Sequence, residues 1–422
     1  MAEKTTLGNG VRILTQRIPY VRSVSLGVWV HAGARDESAD ENGLSHFIEH
    51  MIFKGTARRS AFEIAKAFDA IGGHTNAFTG METTCYHAKV MDAHLDTAVD
   101  ILSDIFLHSA FAPEEVERER PVIFQEIEMV EDSPEDWIHV LAEASFWGDH
   151  ALGRPITGSR DNVLRFDSRA LKTFFRRLYQ PGRIVVSAAG NVDHGRLVDL
   201  LGPAFESVRA DGNGFPDRSR PPGRAGVFLH ERAIGQIHLC LETPGIAATD
   251  PRRYAASLLH TILGGNMSSR LFQEIRERRG LAYSVYSFLS SYEDTGMSGV
   301  YVGTRPEKGP EALELILAEM ARLREAPVDP AELRDAKEFT RGGLLLAAES
   351  VDNAMVRLAQ NELHFGESVP LERVIEGVEA VTAEEIQTLA ADFLDPAGAV
   401  LTALGPAGNA GAYEALLAGA GR

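Results

Sequence analysis

The chain has 422 residues, 44% of them hydrophobic, which is enough for two or more domains with apolar cores. Its formal net charge of −18 argues against a nucleic-acid-binding protein and favours cationic peptides as partners through long-range attraction. The sequence has no apolar run long enough for a membrane span and no secretory signal at its start, and its two cysteines, Cys85 and Cys240, are too few for a disulfide framework. We therefore expect a cytoplasmic protein with two buried thiols.

A strand-like alternation at residues 24–30 is followed by a short predicted helix that carries His46, Glu49 and His50. Residues three and four apart share one face of a helix, so His46 and His50 can direct two imidazoles at one metal ion, with Glu49 beside them. The order His-x-x-Glu-His is a metalloprotease pattern. Its other interpretation is a helix with two half-buried, hydrogen-bonded histidines.

The chemistry of zinc explains why these residue types occur together. A hydrolytic zinc ion keeps three protein ligands, so two histidines need one further ligand, such as a distant carboxylate, and water holds the fourth position. Zinc lowers the pKa of its bound water toward about 7, and a carboxylate that is not a ligand can then take the proton and pass it to a leaving amine. We expect Glu49 to be that base.

Polar residues mark both ends of this predicted helix. Residues 41–45, Glu-Asn-Gly-Leu-Ser, offer capping side chains before it. Lys54 and Gly55 provide a C-terminal charge and a stop. The metal helix is therefore predicted to be short and rigid, which suits a metal site.

Residues 43–56, Gly-Leu-Ser-His-Phe-Ile-Glu-His-Met-Ile-Phe-Lys-Gly-Thr, resemble the pitrilysin-type inverted zincins, especially the branch of mitochondrial processing peptidase and its bacterial relatives. The resemblance implies that Glu126 is the third zinc ligand. It also implies that Glu119 contacts one of the ligands without binding the metal itself. Glu119 precedes Glu126 by seven residues, two helical turns on one face. Pro121 lies between them and predicts a kink, or a helix that begins anew there.

Two further segments resemble parts of the same family. Residues 72–84 are similar to an edge strand whose backbone pairs with an extended substrate, which implies that Asn76, Ala77 and Phe78 bind the substrate. In the second half, Arg276 and Tyr283 are similar to a pair that reaches over the zinc site. Their hydrogen bonds would stabilise the oxyanion of the tetrahedral intermediate.

The chain divides once, at a segment rich in Gly, Pro and charge. We predict an N-terminal catalytic domain, 1–209, a linker, 210–224, and a homologous C-terminal domain, 225–422. Each half is expected to be an α/β sandwich with an antiparallel-rich sheet packed with helices, so the fold class is α+β with an internal duplication.

Superposing the two halves predicts that the second has lost its metal ligands. If Pro113 corresponds to Pro330, Glu126 falls on Gly343. If His50 corresponds to His260, His46 falls on Ala256 and Glu49 on Leu259. We therefore expect one zinc ion per chain, and we interpret His260 as a core or hydrogen-bonded histidine.

The resemblance also implies how the halves assemble and what they do. It predicts that they face one another across a cavity in a clam-shaped dimer, either a homodimer or a heterodimer with an inactive homologue. The implied function is zinc-dependent cleavage of peptides or unfolded protein segments in an enclosed chamber. Two alternatives remain: a non-catalytic core or assembly subunit, and a maturase dedicated to one precursor.

Overall fold

The chain folds into two β-sheets and many helices, a mixed α/β fold, in a computed structural model that describes residues 2–210, 218–221 and 223–420. Most of the predicted linker, residues 211–217 and 222, lies outside the described residues. The strands are β1 (Ala2–Thr6), β2 (Arg12–Arg17), β3 (Ser23–Val30), β4 (His74–Thr79), β5 (Thr84–Met91), β6 (Ile184–Gly190), β7 (Gly226–His230), β8 (Ile237–Pro244), β9 (Ala282–Ser291), β10 (Gly296–Thr304) and β11 (Val400–Leu404). The α-helices are α1 (Leu44–Ile52), α2 (Ala61–Ala70), α3 (Leu95–His108), α4 (Pro113–Asp132), α5 (Pro134–Trp147), α6 (Arg160–Arg165), α7 (Ser168–Leu178), α8 (His194–Phe205), α9 (Arg253–Gly264), α10 (Gly309–Glu325), α11 (Pro330–Ala348), α12 (Val351–Phe365), α13 (Leu371–Ala380), α14 (Ala383–Phe393) and α15 (Ala410–Ala420).

The two sheets have the same strand order apart from one additional strand, β1, in the first. The first runs β1-β2-β6-β3-β5-β4 and the second β7-β11-β8-β10-β9. Without β1, the orders correspond strand for strand, and in each sheet the first of these pairs, β2 with β6 or β7 with β11, is parallel while the others are antiparallel. The prediction of antiparallel-rich sheets is confirmed, and the shared topology supports the predicted duplication.

Contacts group the chain into two compact units, each of which takes one segment from beyond the linker. Unit 1 comprises Met1–Glu128, Arg154–Arg218 and Leu346–Ser368. Unit 2 comprises Met129–Gly153, Ser219–Leu345 and Val369–Arg422. The compact units thus differ from the predicted halves by two exchanged segments, which contain α5 and α12.

Unit 1 buries both faces of its sheet. On one face, residues of β3 and β5 pack with α1, α3, α7 and α8 in a large apolar core. On the other face, α12 packs its Ala354, Met355 and Ala359 against Trp29 and its neighbours. The approach is close, since a Cβ on Gly27 would lie 2.7 Å from the sulfur of Met355. Burial on both faces agrees with β3, in which every residue after Ser23 is buried.

Unit 2 is built in the same way, with α5 against its sheet. Ile138 and Ala142 of α5 pack on Cys240 and Tyr301.

Cys85 and Cys240 are free and buried, as predicted. His260 is also confirmed as a core histidine: it is buried, and its Nε2 lies 3.1 Å from the Ser298 hydroxyl.

In the part of the chain that the structure describes, no helix is both long and apolar enough to cross a membrane.

The exchanged helix α12 gives a test of the architecture of unit 1. Ala359→Asp places a charge in the apolar layer under the sheet and is expected to lower the free energy of unfolding by about 3 kcal/mol or more. Gln360→Asp, on the exposed side of the same helix, is the matched control and should change it by about 0.5 kcal/mol or less. Thermal and urea unfolding followed by circular dichroism measure both; equal effects would contradict the packing of α12 on this sheet.

A second test uses Glu242 of β8, which is fully buried, with neither carboxylate oxygen hydrogen-bonded among the described residues. Burial raises the pKa of Glu242 well above its usual value, and it raises the pKa of nearby Glu143 from 4.5 to about 7. The folded chain therefore keeps these protons to higher pH than the unfolded chain does, and stability is lost as the pH rises above about 4.5.

Glu242→Gln removes this titration, so the stability of the variant relative to the wild type should rise steadily between pH 5 and pH 8. Melting temperatures at each pH measure the difference. Glu231→Gln, at an exposed site in the same unit, serves as the control. A Glu242→Gln difference that does not depend on pH would show that Glu242 is ionised in the folded chain.

Candidate metal centre

Helix α1 places its apolar and polar residues on opposite sides. Its buried residues include Phe47, Ile48 and Met51, all within the core of unit 1. His46 and His50 lie on the opposite side, as the spacing predicts, with ring centroids 4.7 Å apart. Burial of one face therefore aims both imidazoles in the same direction.

The start of α1 is held by Glu37, a residue with no role predicted from the sequence. The predicted cap within residues 41–45 is wrong: Gly43 is the N-cap, with a φ of 106°, and it provides no side-chain cap. Instead, the buried carboxylate of Glu37 accepts hydrogen bonds from the backbone N–H of Gly43 at 2.9 Å and of Ser45 at 2.7 Å. Burial raises the pKa of Glu37 to about 7, although these hydrogen bonds favour its charged form. Asn42 also donates to Glu37, so the loop and the helix are fixed together.

The end of α1 agrees with the prediction. The helix ends at Ile52, and Gly55 has a φ of 120°, a conformation that glycine adopts readily. α1 is thus a helix of nine residues with both ends anchored.

Helix α4 brings two glutamates to the histidines. The expectation that a helix begins anew at Pro121 is wrong, because α4 is continuous from Pro113 to Asp132. Proline removes only one backbone donor, and residues on both sides of it, Val116 and Ile123, are buried in the core. Glu119 and Glu126 therefore lie two turns apart on the face that meets α1.

Glu126 lies between the two imidazoles. Its Oε2 is 3.3 Å from Nε2 of His46 and 3.3 Å from Nε2 of His50. Hydrogen bonds with His46 and His50 hold the pKa of Glu126 well below its usual range. Within the described ranges, this trio is the one group of three or more His, Cys, Asp or Glu side chains arranged so that it could hold a metal ion.

Glu119 contacts the back of His50. Its Oε1 lies 2.9 Å from Nδ1 of His50, and its Oε2 lies 2.5 Å from Nζ of Lys54. Burial alone would lower the pKa of His50, but its hydrogen bonds with Glu119 and Glu126 raise it to about 9. The two carboxylates thus favour positive charge at this point, and a bound metal ion would replace the proton, because a ligating histidine is neutral.

These atoms fit a zinc ion. Ligands bound at about 2.0–2.1 Å in a tetrahedral site lie about 3.3 Å from one another, and Oε2 of Glu126 lies 3.3 Å from Nε2 of each histidine. Two imidazoles and one carboxylate are also a usual ligand set for a hydrolytic zinc. His46, His50 and Glu126 would hold the ion, with Glu119 fixing the ring of His50.

Glu49 lies outside this ligand group and contacts the edge of the sheet. The hydroxyl of Thr79, the last residue of β4, donates a hydrogen bond of 2.6 Å to Oε2 of Glu49. No role for Thr79 was predicted from the sequence. Side chains alternate between the two faces of β4, so Thr79 shares a face with Ala77, which packs toward the core. This alternation was the one feature of the sequence that could have indicated that Thr79 points toward α1.

The predicted substrate strand is at the edge of its sheet. β4 is the last strand in the order, and the structure pairs it with β5. Phe78 is 40% exposed and lies edge-on to Trp29 at 5.4 Å. The side chain of Asn76 accepts a hydrogen bond from the backbone N–H of Ala77.

Arg276 and Tyr283 form a pair within unit 2. Arg276 lies in a π-helical turn, Phe272–Glu277, and its Nη1 donates to the backbone carbonyl of Tyr283 at 3.0 Å. Its guanidinium lies 4.4 Å from the centroid of the Tyr283 ring, a cation–π geometry. The Tyr283 side chain is 80% exposed, so its hydroxyl is available to a ligand.

Comparison with known proteins gives two matches to one family. Residues 12–160 match the family described as Insulinase (Peptidase family M16), and residues 165–339 match the Peptidase M16 inactive domain. The uncharacterized zinc protease YmxG of Bacillus subtilis is 41% identical over 97% of this chain and 99% of its own length. An uncharacterized zinc protease of Mycobacterium leprae is 42% identical over 93% of this chain and 89% of its own length.

Solved structures show the same fold. A protease from Helicobacter pylori has a TM-score of 0.90 and 22% identity, covering 96% of this chain and all of its own (100%). A peptidase M16 inactive domain from Pseudomonas fluorescens has a TM-score of 0.89 and 20% identity, covering 96% of this chain and 98% of its own. These two likenesses establish the fold alone, whereas the sequence matches establish the family. The chain belongs to peptidase family M16, the insulinase or pitrilysin-type peptidases.

Proposed function

We propose that the chain is a zinc-dependent endopeptidase of the inverted-zincin type that cleaves peptides or unfolded protein segments. The observation that supports this most strongly is the convergence of His46, His50 and Glu126, with Glu49 one residue from a ligand but outside the ligand group. Membership in peptidase family M16 agrees with it, and the relatives from Bacillus subtilis and Mycobacterium leprae are named zinc proteases.

The proposed reaction assigns one task to each group. Zinc, when bound, would act as a Lewis acid and lower the pKa of water toward about 7. Glu49 takes the proton from the attacking water and delivers it to the nitrogen of the leaving amine. Glu119 accepts a hydrogen bond from Nδ1 of His50, which keeps Nε2 of that ring unprotonated for the metal.

The substrate is proposed to add to the sheet as a further strand. An extended peptide would pair with the backbone of β4 at Asn76, Ala77 and Phe78, because β4 is an edge strand. Arg276 and Tyr283 would donate hydrogen bonds to the carbonyl oxygen as it becomes negative, an effect typically worth several kcal/mol of barrier lowering.

The remaining parts of the proposal concern assembly. We propose one zinc ion per chain and a dimer whose halves face one another across a cavity, so that folded proteins are excluded. A homodimer is the simpler arrangement, since one chain carries both the histidine pair and the Arg276–Tyr283 pair. We also keep the prediction of a cytoplasmic location.

Two alternative functions remain open to experiment. A non-catalytic core or assembly subunit would be marked by loss of the His-x-x-Glu-His residues, and all of them are present here. A maturase dedicated to one precursor would use the same site. A profile with a single cleaved peptide among many would identify a maturase, whereas broad cleavage would identify an oligopeptidase.

Replacement of the proposed base tests the mechanism. Glu49→Gln keeps the size of the side chain but cannot accept the proton, so kcat for unfolded peptides should fall by about 100-fold or more. Zinc content, measured by mass spectrometry of the metal, should remain one ion per chain. Chelator-stripped wild type should be inactive and recover on addition of zinc. Full activity in Glu49→Gln would contradict the proposed role of Glu49.

Replacement of Glu119 tests the support of His50. Glu119→Gln weakens the hydrogen bond to Nδ1 of His50 and is expected to reduce zinc affinity about 10- to 100-fold. Competition with a chromogenic chelator measures that affinity directly. The matched control is Glu114→Gln, an exposed residue on the same helix, which should retain wild-type affinity. Equal affinity in both variants would show that Glu119 does not support the metal site.

A further inference from the structure

The contact between Thr79 and Glu49 joins two separate elements of unit 1. Thr79 ends β4, and Glu49 lies on α1, 30 residues earlier in the chain. A threonine hydroxyl can donate one hydrogen bond, and here Thr79 donates it to Oε2 of Glu49 at 2.6 Å. A hydrogen bond from a neutral donor to an ionised carboxylate is among the stronger kinds in proteins. The contact therefore assigns Oε2 to Thr79 and leaves Oε1 of Glu49 for other partners.

The turn that follows Thr79 is held firmly. The backbone N–H groups of Ala34 and Arg35 donate to the carbonyls of Gly80 and Met81 at 3.2 and 2.7 Å. Gly33 lies so close to this turn that a Cβ on it would be 2.2 Å from the Gly80 carbonyl oxygen. The turn and the segment from Gly33 are thus packed backbone against backbone.

Buried ion pairs fix the same turn. Nη1 of Arg35 lies 2.6 Å from Glu82, and both side chains are buried. Arg218 donates to the backbone carbonyl of Glu82 at 3.0 Å and pairs with Asp36 at 2.8 Å. Backbone hydrogen bonds and buried ion pairs together hold the turn, so they also fix the position of the Thr79 hydroxyl. The longer Glu49 side chain therefore takes its orientation from Thr79.

The faces of β4 separate two tasks. Successive side chains of a strand point to opposite faces, so Ala77 and Thr79 share the face toward α1, while Phe78 lies on the other. Ala77 packs against the core of unit 1, and Thr79 reaches Glu49. The strand that is proposed to pair with the substrate through its backbone therefore also holds the proposed base through a side chain.

We propose that Thr79 is a positioning residue that orients the Glu49 carboxylate and sets it in register with the substrate bound along β4. This inference rests on the proposed function. Thr79 keeps its own proton throughout: Oε1 of Glu49 receives the proton of the attacking water and gives it to the leaving amine, while Oε2 remains hydrogen-bonded to Thr79. Thr79 therefore acts on the chemical step and contributes to neither substrate binding nor zinc binding.

Two substitutions at one position separate the hydroxyl from the shape of the side chain. Thr79→Val removes the donor at nearly constant volume, and kcat is expected to fall about 10- to 100-fold, with KM changed by less than about 2-fold. Thr79→Ser keeps the donor and should recover most of the lost kcat. Both variants should retain the zinc content of the wild type.

A matched control comes from the opposite edge of the same sheet. Thr5 in β1 also uses its hydroxyl in a side-chain hydrogen bond, with His194 at 2.8 Å. Thr5→Val therefore loses a comparable contact far along the sheet from Glu49 and should retain wild-type kcat. Equal losses in Thr5→Val and Thr79→Val would overturn the proposal, because they would reflect a general loss of stability.

Crystal structures of the zinc-loaded wild type, Thr79→Ser and Thr79→Val provide a readout that does not depend on activity. The Glu49 carboxylate is expected to have one orientation in the first two proteins. In Thr79→Val it is expected to be displaced or to occupy more than one conformation. An unchanged Glu49 and an unchanged kcat in Thr79→Val would overturn the role of Thr79 alone. A zinc-loaded wild type that cuts no peptide would instead overturn the proposed function, and the role of Thr79 with it.

Discussion

The burial of one side of α1 is the constraint on which the rest of the site depends. A helix of nine residues has little stability of its own, so its position comes from the apolar residues that it buries and from the contacts at its ends. Glu37 supplies the contact at the start, where its carboxylate accepts hydrogen bonds from two backbone N–H groups that would otherwise be unpaired. With the helix fixed in this way, His46 and His50 have one direction in which to point.

Around α1, each further group reaches the site from a different part of unit 1. Helix α4 provides Glu126 between the imidazoles and Glu119 behind one of them, and β4 provides the hydroxyl at Glu49. Buried apolar residues anchor α4, and buried ion pairs anchor the turn after β4. A rigid surrounding keeps the reacting groups in place without reorganisation during the reaction.

The local part of this site could be read from the sequence, and the long-range part could not. The shared face of His46 and His50 follows from helix geometry alone, and the family resemblance led to Glu126 and Glu119. The cap from Glu37 was missed because residues nearer to the helix offered a plausible alternative. Thr79 was missed because a period-2 pattern shows which face a residue occupies, but not which side chain it meets across 30 residues. The placement of α12 was missed for a similar reason: an amphipathic helix shows that it buries a face, but not which sheet it covers.

A crystal structure of the full chain, with diffraction recorded above and below the zinc absorption edge, would test the metal centre directly. We expect one strong anomalous peak per chain, from an ion bonded to Nε2 of His46, Nε2 of His50 and a carboxylate oxygen of Glu126, with Glu49 near the ion but not bonded to it. A chain that holds no zinc at this point, or one in which Glu49 is itself a ligand, would contradict the assignment of the metal centre and of its base.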